Sequence, residues 1–86
     1  MIEDLQKKKK RIAVLGLGYV GLPLALEFAK KYSVIGFDIN ESRIALMRQK
    51  IDPSQELDKE AFDDCDIEFT THKEDLKRAH FFIVTV

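Results

Sequence analysis

The sequence predicts an α/β fold, a parallel sheet with helices laid across it. Three observations carry that prediction. Short apolar, β-rich runs recur at Arg11 to Leu15, Ser33 to Phe37 and Phe81 to Val86. Longer stretches with helical character follow the first two of these runs. A glycine-rich turn, Gly16-Leu17-Gly18-Tyr19-Val20-Gly21, joins the first run to the first such stretch. Compact apolar runs without alternation are the mark of strands covered on both faces, as parallel strands are.

Each element follows from its residues. Arg11 to Leu15 reads as the first strand, with Ile12, Val14 and Leu15 around Ala13. Tyr19 to Lys31 is almost wholly apolar until Glu27, Lys30 and Lys31, which suits a helix pressed on the sheet. Pro23 falls near its first turn, where a missing N–H costs least. Ser33 to Phe37 is the second strand, and Asp38 stands at its carboxyl end. Asn40 reads as the N-cap of a second helix over Glu41 to Ile51, with Ile44, Met47 and Ile51 on one face. Asp52-Pro53-Ser54 breaks that helix. Leu57 to Phe62 predicts a short helix burying Leu57, Ala61 and Phe62, ended by Asp63-Asp64. Asp66 to Thr70 alternates, Ile67 and Phe69 against Glu68 and Thr70, as an outer strand exposed on one side does. Thr71-His72-Lys73-Glu74 has the spacing of a capping box and predicts a short helix through Arg78 that buries Leu76. Phe81 to Val86 is continuous and apolar, the pattern of a central strand.

The order is therefore β-α-β-α-β-α-β. With right-handed crossovers it gives a Rossmann-type parallel sheet of strand order 3-2-1-4, whose crevice lies between the first and fourth strands. The sheet is expected to be truncated after the fourth strand. Because that strand is too apolar for an open edge, a second copy or another segment is expected to cover it.

The turn specifies a chemistry. Gly16, Gly18 and Gly21, followed by an acid at Asp38 after a second strand, describe a site for the two halves of a dinucleotide. Gly16 allows the tight exit from the strand. Gly18 lets a pyrophosphate approach the main chain, and Gly21 lets the helix press on the strand. The free N–H groups and positive end of the helix then face the phosphates without any basic side chain. A carboxylate at Asp38 accepts from both ribose hydroxyls and repels a 2′-phosphate, favouring NAD over NADP; its plainer reading is a strand-end turn former. Arg43 sits in the first turn of the second helix, where the dipole disfavours a cation. Two readings stand for it: packing on adenine or ribose, or an ion pair with Asp38 or Glu41.

Composition excludes several classes. The 86 residues allow one small domain, and the 45% hydrophobic and 34% charged fractions are those of a soluble globular chain. The net charge of −1, from 14 basic and 15 acidic residues, favours neither nucleic acid nor an anionic membrane. Lys7 to Lys10 with Arg11 form a basic run behind Glu3 and Asp4, read as a solvated, charged leader. With no signal peptide and no bilayer-spanning stretch, a cytoplasmic protein is expected. The single cysteine, Cys65, excludes an internal disulfide. Lying before the third strand with no histidine close by in sequence, it reads as a buried or half-buried spacer. His72 and His80 lack metal-ligand spacing, and Asp63, Asp64 and Asp66 read as a solvated turn, so no metal site is expected.

The run Gly16-Leu17-Gly18-Tyr19-Val20-Gly21-Leu22-Pro23-Leu24 resembles the amino-terminal signature of the UDP-glucose/GDP-mannose dehydrogenase family. Gly36-Phe37-Asp38-Ile39-Asn40 and the closing Phe82-Ile83-Val84-Thr85-Val86 are most similar to its bacterial UDP-N-acetylhexosamine 6-dehydrogenases of surface-polysaccharide synthesis. The resemblance covers residues 11–86, which it marks as the amino-terminal part of an NAD-binding domain behind a leader at 1–10. It implies two successive NAD-dependent oxidations of a sugar's primary alcohol to a carboxylate. It also implies cofactor contacts from the turn (Gly16, Leu17, Gly18, Tyr19, Val20, Gly21), from Asp38 on the adenosine ribose and from Arg43. The catalytic residues and the nucleotide-sugar site would lie in downstream segments, so this part alone is expected to be inactive and to hold no catalytic residue. The full-length enzyme is expected to be a homodimer. Thr85, within the last strand, takes no role in this reading. Two other classes use a similar turn: a regulatory nucleotide-sensing module of potassium-transport type, and an S-adenosylmethionine-dependent methyltransferase. The Tyr19-Val20-Gly21-Leu22-Pro23 run and the long apolar first helix fit a dinucleotide better than either.

Overall fold

A computed structural model describes residues 10–85. Most of the expected leader, and the last residue of the strand expected over 81–86, lie outside them. The strands are β1 (Arg11–Leu15), β2 (Ser33–Phe37), β3 (Ile67–Thr70) and β4 (Phe81–Val84), with helices α1 (Gly21–Ala29) and α2 (Glu41–Arg48). All pairs are parallel and the order is β3-β2-β1-β4, as the topology predicted. The register sets Leu15 beside Phe37 and Val84, and Phe37 beside Thr70, so all four strands finish at one end of the sheet.

The core is the apolar content of β1, β2 and the inner faces of the helices. Ile12, Val14, Val34, Leu22, Ala25, Leu26, Ala29, Ile44, Met47, Phe62 and Phe69 form one buried cluster. β2 is buried along its whole length, consistent with a central position. Leu17 is buried too, although it sits in the glycine turn: its side chain lies over β2, where a Cβ on Gly36 would come within 3.0 Å of it.

Several elements are shorter than the sequence suggested. α1 starts at Gly21, leaving Tyr19 and Val20 exposed in the turn, and it ends before Lys31 and Tyr32, whose amides both close on Phe28. α2 ends at Arg48. Lys50 takes a left-handed φ of 62°, so Ile51 leaves the apolar face and is exposed. The helices expected at 57–62 and 71–78 are single 3₁₀ segments, Lys59–Phe62 and Lys73–Arg78. Phe62 is buried, whereas Leu57, Ala61 and Leu76 are only partly so. The expected cap at Thr71 is replaced by its neighbour: the Thr70 hydroxyl accepts from the His72 amide and donates to Asp75. That duty explains why Thr70 is buried rather than exposed. β4, whose apolar pattern is that of a central strand, is the edge that the 3-2-1-4 order predicted, with Phe82 and Val84 exposed by 54% and 71%.

Candidate nucleotide-binding turn

The site begins where β1 stops. Gly16 turns the chain with φ of 90°, a region open to glycine, and donates its amide to Phe37 O at 2.9 Å. A Cβ on Gly21 would run into the Gly16 carbonyl, so α1 packs on the turn only because residue 21 has no side chain. Gly18 is the opposite case: a Cβ there would meet nothing within 4 Å, and the space faces solvent.

The first turn of α1 is unguarded. Val20, at the N-cap, makes no side-chain cap, and no acid lies in the first turn. The turn's backbone bonds run from Leu22 N to Gly18 O and from Leu24 N to Val20 O. Among the described residues, no protein acceptor meets the amides of Gly18, Tyr19, Val20 or Gly21. Unpaired amides at a helix start, with an open glycine beside them, can receive an anion.

Asp38 and Arg43 brace this turn from the β2 side. Asp38 Oδ2 accepts from the Leu17 amide at 2.9 Å, and Oδ1 from the Asn40 amide at 3.0 Å. Each oxygen keeps a further lone pair. Asn40 caps α2 as expected, accepting from the Arg43 amide at 3.1 Å. Arg43 itself takes neither of the ion pairs considered for it: its Nη2 donates to Leu17 O at 3.1 Å. Both polar groups of Leu17 are thus held, the N–H by Asp38 and the carbonyl by Arg43. A crevice of about 210 Å³ opens at the strand ends, lined by Leu15, Gly16, Phe37, Asp38, Ile39, Val84 and Thr85. The structure therefore brings Gly16, Leu17, Gly18, Tyr19, Val20, Gly21, Asp38 and Arg43 together. Thr85 joins them without having been anticipated, its hydroxyl on Gly16 O at 2.5 Å.

The remaining chemistry-bearing residues lie elsewhere. Cys65 is half-buried with its sulfur 3.4 Å from Leu26 O, and burial pushes its thiol up from the ordinary value against the pull of Lys30. A larger cavity of about 320 Å³ lies beside it, lined among others by Met47, Phe62 and Phe69 and by none of the turn's residues. Asp63 pairs with Lys50 at 3.7 Å, and His80 Nδ1 accepts from the Arg11 amide at 3.3 Å.

Comparison with known proteins agrees with this geometry. Residues 10–86 match the NAD binding domain of the UDP-glucose/GDP-mannose dehydrogenase family. The UDP-N-acetyl-D-glucosamine 6-dehydrogenase of Pseudomonas aeruginosa is 52% identical over 80 residues, which are 92% of this chain and 19% of that protein. Protein CapL of Staphylococcus aureus is 49% identical over 77 residues, 90% of this chain and 18% of its own length. The structure of a UDP-D-ManNAc dehydrogenase from Pyrococcus horikoshii superposes with a TM-score of 0.71 at 39% identity, covering 88% of this chain and 20% of that one. The chain thus spans about one fifth of the length of the relatives it matches. It belongs to the UDP-glucose/GDP-mannose dehydrogenase family, through the domain that binds NAD.

Proposed function

We propose that this chain is the cofactor-binding part of a cytoplasmic enzyme that oxidises the primary alcohol of a UDP-N-acetylhexosamine to a carboxylate, in two NAD-dependent steps, for surface polysaccharide synthesis. The observation that carries the reading is the open space at Gly18, into which any side chain would project, beside amides leading into α1 that no described residue takes up. In it the amides from Gly18 to Gly21 receive the diphosphate, and the main chain of Leu17, Tyr19 and Val20 shapes the rim. Asp38 uses its free lone pairs for the adenosine ribose hydroxyls, and its negative charge disfavours a 2′-phosphate. Arg43 presents its remaining donors and planar face to the adenosine side. When bound, NAD supplies the hydride acceptor. The sugar site and the catalytic residues are supplied by the four fifths of the relatives' length that this chain does not span. The 86-residue chain therefore binds the adenosine diphosphate moiety weakly and turns nothing over. The exposed apolar side chains of β4 support self-association through that edge.

Calorimetric titration of the chain with NAD, NADP and S-adenosylmethionine tests this reading. Binding of NAD in preference to both others is expected. Binding of S-adenosylmethionine without NAD would place the chain in another class. Turnover of NAD with a UDP-N-acetylhexosamine would overturn the claim of inactivity, and a scattering curve of a pure monomer at high concentration would overturn the β4 contact.

A further inference from the structure

The unit that connects β1 to the turn is the peptide between Gly16 and Leu17, and it is gripped at both ends. Its N–H, from Leu17, donates to Asp38 Oδ2 at 2.9 Å. Its carbonyl, from Gly16, accepts the Thr85 hydroxyl at 2.5 Å, with Leu15 O a longer alternative at 3.3 Å. Thr85 is itself fixed, because its amide continues the β1–β4 ladder to Leu15 O at 2.9 Å. Gly21 backs the same group: a Cβ there would come within 2.7 Å of Thr85 Oγ1 as well as striking the Gly16 carbonyl. A peptide plane in a glycine turn has little side-chain bulk to stop it rotating. If this one rotated, its carbonyl would swing toward Asp38 and the Leu17 amide away from it, setting two negative groups against each other and disturbing the amides that follow.

We propose that Thr85 is a positioning residue. Its hydroxyl holds the Gly16 carbonyl on the β4 side of the turn, and so keeps the amides of Gly18 to Gly21 presented before nucleotide arrives. Asp38 and Thr85 act as one device on opposite ends of a single peptide. This places a strand-end hydroxyl, from the far wall of the crevice, in control of the phosphate-binding turn. The affinity consequence rests on the nucleotide reading above; the consequence for the ligand-free turn does not.

The test compares Thr85→Val, which keeps the shape and removes the hydroxyl, with Thr85→Ser, which keeps the hydroxyl. In ligand-free amide spectra, Thr85→Val is expected to move the Leu17 and Gly18 resonances, and Thr85→Ser to leave them near their wild-type positions. In NAD titrations, Thr85→Val is expected to weaken binding by about tenfold, the effect of losing one satisfied hydrogen bond on a preorganised turn. Thr85→Ser should stay within about twofold, because the bond that sets the turn is retained. Unchanged Leu17 and Gly18 resonances in Thr85→Val would overturn the proposal. So would equal weakening by both variants, which would show that keeping the hydroxyl confers no advantage. Should Thr85→Val not fold, Thr85→Ala carries the same comparison against Thr85→Ser. A wild-type chain that binds no NAD would sink the nucleotide reading alone, and the ligand-free spectra would still decide the role of Thr85.

Discussion

The two edges of the sheet are finished differently. At β3, Phe69 O points away from β2 and is taken by Arg48, whose Nε and Nη2 reach it at 3.1 and 3.0 Å. Phe69 is buried there with Met47 and Phe62, and Thr70 is buried too. The loop after α2 is closed by Asp52, a buried carboxylate that accepts from the amides of Ser54, Glu56 and Leu57 and from the Ser54 hydroxyl. At β4 the apolar side chains Phe82 and Val84 stand exposed, and the neighbouring turn has a row of amides with no acceptor among the described residues. One half of the molecule meets its polar requirements from its own side chains. The other half leaves them to be met from outside, which is what distinguishes a binding region from a structural one.

Two glycines on the open side give the sharpest test. Gly21→Ala drives a methyl into the Gly16 carbonyl, a backbone atom that cannot step aside, so a loss of about 3 kcal/mol or more is expected in urea unfolding. Gly18→Val adds a larger side chain to open space and should leave the urea midpoint almost unchanged. Its NAD affinity is expected to fall by roughly a hundredfold, because the cradle is filled. A Gly18→Val chain that binds NAD normally would show that the open space is not the diphosphate site.

On the closed side the largest effect belongs to Asp52. Burial by itself would raise this carboxyl, but its bonds from Ser54, Leu57 and Glu56 together hold it below the ordinary value of 3.8. Asp52→Ala strands three amides in the loop and is expected to cost about 2–3 kcal/mol. The sign of the pH dependence follows from the depressed carboxyl. Its contribution is complete above the ordinary value and is lost as pH falls through the lower native one. Wild-type and Asp52→Ala urea midpoints should therefore converge only below pH 3.8. Asp38 stands between the two halves. Asp38→Ala frees the amides of Leu17 and Asn40, for about 1–2 kcal/mol of stability, and is expected to erase the preference for NAD over NADP. A preference that survives would leave Asp38 as a brace of the turn only.

Much of this was legible in the sequence because it depends on short-range spacing. The glycine triplet, the acid after β2 and the Asn40 cap specify their own geometry, and the uninterrupted apolar runs of β1 and β2 fix which strands are central. What the sequence concealed depends on partners distant in the chain. One of the two readings of Arg43 paired it with a carboxylate, yet its acceptor is a main-chain carbonyl 26 positions earlier, which no side-chain pattern announces. Thr85 looked like strand filling, and its role emerges only when the β1–β4 register brings it to Gly16. The 3₁₀ segments were read as helices from the apolar residues of 57–62 and from the capping-box spacing of Thr71 to Glu74. Leu57, Ala61 and Leu76 bury too little surface to support a further turn. A threonine at the end of an apolar run, opposite the first glycine of such a turn, is the one signal that could have been used.

The smallest expected effect tests whether the closed half is stabilised by buried hydrogen bonds or by charge. Arg78 grips Glu68 at 3.1 and 2.6 Å, also reaches Asp75 at 3.1 Å, and Arg11 approaches Glu68 at 3.6 Å, which together form the most conspicuous ionic cluster among the described residues. The Arg78 hydrogen bonds hold the Glu68 carboxyl below its ordinary value of 4.5, so its contribution too is present above that value and lost below it. The Glu68 side chain is nevertheless 41% exposed, and solvent screens what the geometry offers. Glu68→Gln is accordingly expected to cost only about 0.5 kcal/mol at low salt and to become indistinguishable from wild type near 1 M salt, where screening acts within about 3 Å. The Asp52→Ala deficit should persist under the same conditions, because buried amides without acceptors are insensitive to ionic strength. If instead Glu68→Gln proves the more damaging and salt-sensitive of the two, the β3 side is held by its charges, and the contrast between a self-satisfied half and an open half must be redrawn around Arg78.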